Sequence, residues 1–299
     1  MSNSINSLAD SFLANISQLQ ARVDRAQQQI SSGLRITKAS DDPDRVGAIL
    51  QASSDLARNL QIGHNLDRIK AEVDGSEQAL SSAITTLERV SVLGAQGANF
   101  SQDAASRTGI AIEVQSLLER LVVNANTSVD NRFVFAGDSD QIAPYSVDLT
   151  TVTGTTPYAG TAATREVEDP RGGTFPISQS AQEIFDAPGA SVFAAVNALR
   201  VALLANDEPA ISLSLDALRI AHERLGDSLS FYGTVQNEVA DGSRAVSTLT
   251  LRLTTSLTDL READLAEAST ELVIARFHLE AAFSARARTP RTSLFDYLG

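Results

Sequence analysis

Few residues in this chain have the type and spacing that chemistry requires. Three histidines occur, His64, His222 and His278. None has a second histidine four residues away, and no H-E-x-x-H run offers the paired face that zinc needs on a helix. Asp41, Asp42 and Asp44 form the tightest acidic group, but the Pro-Asp-Arg-Val run that completes it has neither Ca-loop spacing nor a closing bidentate Glu. Capping of the helix that starts at Pro43 explains these carboxylates. Asp138 and Asp140, beside Gly137, read as turn residues. No G-x-S-x-G is present to raise a nucleophile and no G-x-x-x-x-G-K to cradle phosphate. Cysteine is absent, so thiolate chemistry and disulfides are excluded. We expect no enzyme, no catalytic residue, no metal and no cofactor. Arg286, Arg288 and Arg291 make a small basic group suited to the negative end of a helix dipole.

What must be positioned is an apolar surface. Ile5, Leu8, Phe12, Ile16, Leu19, Val23, Ala26 and Ile30 follow steps of three and four, which keep one face of a helix turned toward a partner helix. Leu265, Ala268, Leu272, Ala275, Leu279 and Ala282 do the same near the other end. Polar residues fill the remaining faces, so both stripes are narrow seams. They can be satisfied by pairing with each other or by the same stripes of neighbouring molecules, which would build a filament. The closing Ser293-Leu294-Phe295-Asp296-Tyr297-Leu298 is unusually apolar for a terminus and is expected to dock. Ile5, Leu8, Phe12, Ile16, Leu19, Val23, Leu265, Leu272, Leu279, Leu294 and Phe295 are therefore the candidate assembly interface.

The elements between these seams are mainly helical. The first helix should run from about Ile5 to Ile30 and stop at Gly33. Ser40-Asp41-Asp42-Pro43 opens a second run marked by Val46, Ile49, Leu56, Leu66, Ile69 and Val73. Further helices are expected over about 76–98 and 106–128. Between 131 and 189 Gly, Pro and Thr accumulate around short β-prone pieces such as Phe133-Val134-Phe135, Tyr145, Val167 and Phe175, which predicts a small β-rich insert. Helical spacing resumes at Val192 and reaches Arg286, with a break at 206–209. The fold class is thus mainly α: long terminal helices in an antiparallel coiled coil or bundle, with the β-rich insert at the distal tip. The 299 residues allow two or three domains, and the net charge of −13 argues against nonspecific nucleic-acid binding and against anionic lipid. No stretch approaches a membrane span. Residues 1–10 lack a basic region and an apolar core, so export would proceed without a cleaved leader.

Ile30-Ser31-Ser32-Gly33-Leu34-Arg35-Ile36 followed by Ser40-Asp41-Asp42-Pro43 resembles the amino-terminal signature of the flagellin superfamily. Leu260-Arg261-Glu262-Ala263-Asp264-Leu265-Ala266-Glu267 is similar to its carboxyl-terminal counterpart. Asn131-Arg132-Phe133-Val134-Phe135-Ala136-Gly137, with Ala143-Pro144-Tyr145, and the Leu-Phe-Asp-Tyr-Leu ending resemble the hook-filament junction members of that superfamily; Thr289-Pro290-Arg291 departs from the pattern. The resemblance implies a secreted structural protein of the extracellular bacterial flagellum that self-assembles into a ring between an adjacent hook-associated protein and flagellin. It also implies passage through the flagellar type III export apparatus and an export chaperone. It implies an inner coiled-coil layer from 1–40 and 256–299, a helical bundle from 41–130 and 190–255, and an outer insert from 131–189. A filament flagellin is the alternative reading; an unrelated coiled-coil binding module and an enzyme carried on the insert stand further off.

Overall fold

A computed structural model describes residues 2–169 and 172–288, with the backbone alone for 2–9. Among the described residues there are seven helices and two small antiparallel sheets: α1 (Ser2–Ser32), α2 (Pro43–Gly97), α3 (Ala104–Ala125), β1 (Ser128–Val129), β2 (Arg132–Phe133), β3 (Glu166–Glu168), β4 (Thr174–Pro176), α4 (Ala181–Phe185), α5 (Val192–Ala205), α6 (Glu208–Arg261) and α7 (Leu265–Arg288). The chain is mainly α with a small β insert. It divides into two compact units, Met1–Arg58 with Leu249–Gly299, and Asn59–Thr248.

In the first unit α1 ends where its spacing predicts. Ser32 Oγ donates to the Gln28 carbonyl, and Gly33 takes φ +70°, a left-handed turn that a side chain would strain. The loop that follows is tied by Asp41, whose Oδ2 accepts the backbone N–H groups of Thr37 and Lys38 at 2.9 and 2.8 Å. These bonds hold its carboxyl below the usual value of 3.8, the Lys38 bond being the stronger cause. Pro43 then opens α2 at the position where its missing N–H costs nothing.

The second run and the separate helix expected at 76–98 prove to be one helix of 55 residues. Gly75 does not interrupt it. A Cβ at Gly75 would lie 2.7 Å from Val129 Cγ2, so this glycine admits the β1–β2 turn against α2 instead of breaking the helix. That turn, at Asp130 and Asn131 with φ of 50° and 61°, is a two-residue connection whose positive φ values match the strand twist.

In the second unit α2 and α6 run antiparallel, as the contacts of Asn59 with Val246, Asp74 with Gln236 and Glu88 with His222 show. Helices α3 and α5 pack together beside them, and Gly94 lets Leu199 and Leu215 approach where a Cβ would meet Leu215 at 2.7 Å. Leu66, Leu80, Leu87, Leu118, Leu121, Leu199, Leu218 and Leu225 are fully buried in one continuous core.

The insert belongs to that core. Phe135 stands edge-on to Phe185 and Tyr232 at 6.0 Å each, Phe185 stacks on Phe193 at 5.7 Å, and Tyr145 meets Phe193 at 5.0 Å. Burial pushes the Tyr232 hydroxyl up to about 12. Excising 138–188 would strip Tyr145, Val167, Phe175, Ile177, Ile184 and Phe185 from the core.

One buried charge braces the unit. Arg107 is 3% exposed and donates to the Gly97 and Asn99 carbonyls, to Asn206 Oδ1 at 2.6 Å and to Glu208 Oε1 at 2.6 Å. It thereby fastens the end of α2, the start of α3 and the α5–α6 turn to one another.

Candidate functional site

The terminal stripes meet. Arg22 pairs with Glu271 at 2.6 Å, Arg286 lies 5.5 Å from the Phe12 ring centre in a cation–π contact, and Leu34 bridges Glu262. These positions rise along α1 as they fall along α7, so the two helices form an antiparallel hairpin. Its closed end is stitched by backbone bonds from Arg35 N–H to the Arg261 carbonyl and from Ala263 N–H to the Gly33 carbonyl.

The seam is narrow, as expected. Ile16, Ala26, Ala268 and Ala275 are buried, and Phe12, Leu19, Val23, Leu272 and Leu279 are half-buried. The alanines of α7 let the helices approach closely, while the larger residues keep part of their apolar surface in solvent. Leu265 is 52% exposed. It stands at the first position of α7, where the Asp264 carboxylate caps the helix by accepting from Ala266 and Glu267, and Ala268 makes the seam contact instead. The side chains of Ile5 and Leu8, together with Leu294 and Phe295, lie outside the described residues.

Sequence reading missed a second apolar face on α7. Val273 and Phe277 are each 67% exposed and Ile274 is 41% exposed, off the seam that carries Ala268, Leu272, Ala275 and Leu279. Their i, i+4 spacing was visible, but one helix can carry two stripes and the seam absorbed the first reading.

The other chemical candidates are scattered. His64 is exposed on α2, His222 lies 3.6 Å from Glu88, and His278 neighbours Phe277. Asp138 accepts from Thr164, and Asp140 accepts from Arg132 and Gln141. Among the described residues no cluster of three or more His, Cys, Asp or Glu could hold a metal ion. No described helix is long and apolar enough to cross a membrane.

Comparison with known proteins accounts for this combination of a terminal hairpin and a helical unit with a β insert. Residues 4–140 match the family model of the bacterial flagellin N-terminal helical region. Over 312 aligned residues the chain is 24% identical to flagellar hook-associated protein 3 of Escherichia coli K12, covering 95% of each. A solved structure described as a putative flagellar hook-associated protein of Vibrio parahaemolyticus shares the fold with TM-score 0.66 and 22% identity, over 74% of this chain and 100% of that one. Bacillus cereus FlgL does so with TM-score 0.57 and 17% identity, over 71% and 100%. The amino-terminal part of the chain thus carries flagellin-type sequence, and the chain is similar to hook-associated protein 3 along nearly its whole length.

Proposed function

We propose that this protein is a structural junction component of the bacterial flagellum, polymerising as a short ring between hook and filament. The observation that carries the reading is the likeness to hook-associated protein 3 across 95% of both chains. The half-buried seam of α1 and α7 supports it physically. In the free chain that seam leaves apolar surface uncovered, and neighbouring copies would cover it.

In this reading residues 1–40 and 256–299 form the inner coiled-coil layer, 41–130 and 190–255 the surrounding helical layer, and 131–189 the outer insert. Ile5, Leu8, Phe12, Ile16, Leu19, Val23, Leu265, Leu272, Leu279, Leu294 and Phe295 carry the contacts between subunits. The protein is secreted through the flagellar type III apparatus with the help of a chaperone that covers the seam, meets an adjacent hook-associated protein on one side and flagellin on the other, and catalyses nothing.

Electron microscopy of flagella from a deletion strain tests the role. Hooks without filaments are expected, whereas shortened or altered filaments would assign the chain to the filament itself. Complementation with Leu272→Ala, Leu279→Ala tests the seam. The variant should keep the circular dichroism of the wild type yet fail to restore motility, and normal swimming would remove these residues from the interface.

A further inference from the structure

A second stripe runs along α7 beside the seam. Ile274, Phe277, Ala281, Ser284 and Arg288 follow steps of three and four, with Val273 next to Ile274, on the side of the helix away from Ala268 and Ala275. Val273 and Phe277 are each 67% exposed and Ile274 is 41% exposed. The stripe is graded in size. Its large apolar members lie in the middle of the helix, and only Ala281 and Ser284 separate Phe277 from Arg288, the last described residue.

Eleven residues follow Arg288, outside the described part of the chain. Pro290 opposes continuation of α7, because it lacks an N–H and its ring crowds the preceding turn, and it disfavours helical backbone at Thr289. A chain turned back from that point runs along the stripe. An extended chain advances about 3.3 Å per residue and a helix about 1.5 Å. Counted from Pro290 beside Arg288, Ser293 comes level with Ala281 at about 10 Å, Phe295 with Phe277 at about 17 Å, and Tyr297 with Val273 and Ile274 at about 22 Å. Alternate residues of an extended chain share a side, so Ser293, Phe295 and Tyr297 would all meet the helix. Small residues then face small ones and large face large. Asp296, the only acidic residue of the eleven, falls level with Arg276, an exposed arginine at the border of the stripe.

We propose that in the free chain residues 289–299 fold back onto α7, with Phe295 and Tyr297 covering Phe277, Ile274 and Val273. The fold-back needs only α7 and the residues after it, so its failure leaves the flagellar reading standing. Its consequence rests on that reading: Leu294 and Phe295 are held on their own chain until polymerisation passes them to a neighbouring subunit, which keeps apolar surface covered in the unassembled protein.

The chain has neither Trp nor Cys, so the contact can be read at single positions. Tyr297→Trp in the full chain should give blue-shifted emission and several-fold weaker acrylamide quenching than a solvent-exposed tryptophan, and neither should change on dilution. Adding Phe277→Ser should expose the tryptophan while helicity stays the same. Phe100→Ser, which removes an exposed ring from 59–248, should leave it protected. Under mild oxidation Ala281→Cys with Ser293→Cys should close a disulfide within one chain. Ala266→Cys with Ser293→Cys should not, because residue 266 lies about 22 Å farther along the helix. Solvent-like emission from Tyr297→Trp, protection that survives Phe277→Ser, or a cross-link that joins two chains instead of one would each overturn the proposal.

Discussion

Residues 59–248 bury Phe135, Phe185, Phe193, Tyr145, Tyr232 and a continuous set of leucines on several helices. Between α1 and α7 the described residues bury only Ile16, Ala26, Ala268 and Ala275, and the larger side chains of that seam stay half in solvent. The 59–248 unit has a core that stabilises its own helices. The terminal unit has a strip of contact one side chain wide, which suits a surface to be completed by other molecules. Charge divides the same way: the net −13 is carried almost entirely by 59–248, leaving the terminal unit close to neutral. A near-neutral, incompletely covered hairpin can pack against copies of itself with little self-repulsion, while the acidic unit stays solvated.

The largest expected effect breaks this comparison at its strong side. Phe135→Ala and Phe185→Ala each remove a fully buried ring with aromatic neighbours, and each should cost about 3–5 kcal/mol. Urea unfolding followed by tyrosine fluorescence reads this, since the described tyrosines, Tyr145, Tyr158 and Tyr232, all lie in 59–248. A loss under about 1 kcal/mol would mean that the insert is not part of the core after all.

A smaller effect sharpens the comparison by holding the chemistry constant and changing burial. Arg107→Met removes a guanidinium that is 3% exposed and leaves the Gly97 and Asn99 carbonyls without that donor, at about 1–3 kcal/mol. Arg89→Met breaks an equally short pair with Glu113, but both side chains are about half exposed, at 53% and 45%, and the cost should stay below about 1 kcal/mol. Equal costs would show that Arg107 does not brace the helix ends.

The difference between the units also explains how much was legible beforehand. The terminal seam obeys a local rule, steps of three and four, so most of its described residues followed from spacing, whereas Leu265 falls at the helix start outside the seam and spacing left the partner open between the other terminus and a neighbouring molecule. Gly33 and Pro43 marked helix ends for equally local reasons. The middle could be recognised as helices around a β insert, but its packing could not. Arg107 bonds to residues 99 and 101 positions away, and no local pattern distinguishes it from a surface arginine. The role of Gly75 depends on Val129, a neighbour only in space. The insert broke into short strands because much of its apolar content, Phe135 and Tyr145 included, is spent on the helical core rather than on strand pairing. On α7 two stripes overlapped, and composition alone could not say which one α1 would take.

The smallest effect concerns two capping carboxylates, one in each unit. Asp41 is held below its ordinary 3.8 by the N–H groups of Lys38 and Thr37, and Asp103 by the Ser106 N–H and hydroxyl. Both shifts are downward, so each ionised carboxylate favours the folded loop. That contribution is present above pH 3.8 and is lost as the pH falls through the lowered value. The consequences should differ because the surroundings differ. Asp103 starts a helix that Arg107 fastens and whose Val114, Leu118 and Leu121 are fully buried, so α3 should persist after protonation. The 33–42 loop has Asp41 as its main tie besides the backbone bonds to Arg261. Amide exchange measured by NMR as the pH is lowered from 5 to 3 should show Thr37 and Lys38 losing protection while the interior amides of α3 keep theirs. Simultaneous loss at both sites would mean that the terminal loop is as well supported as the core, and the contrast between the two units would not extend to their turns.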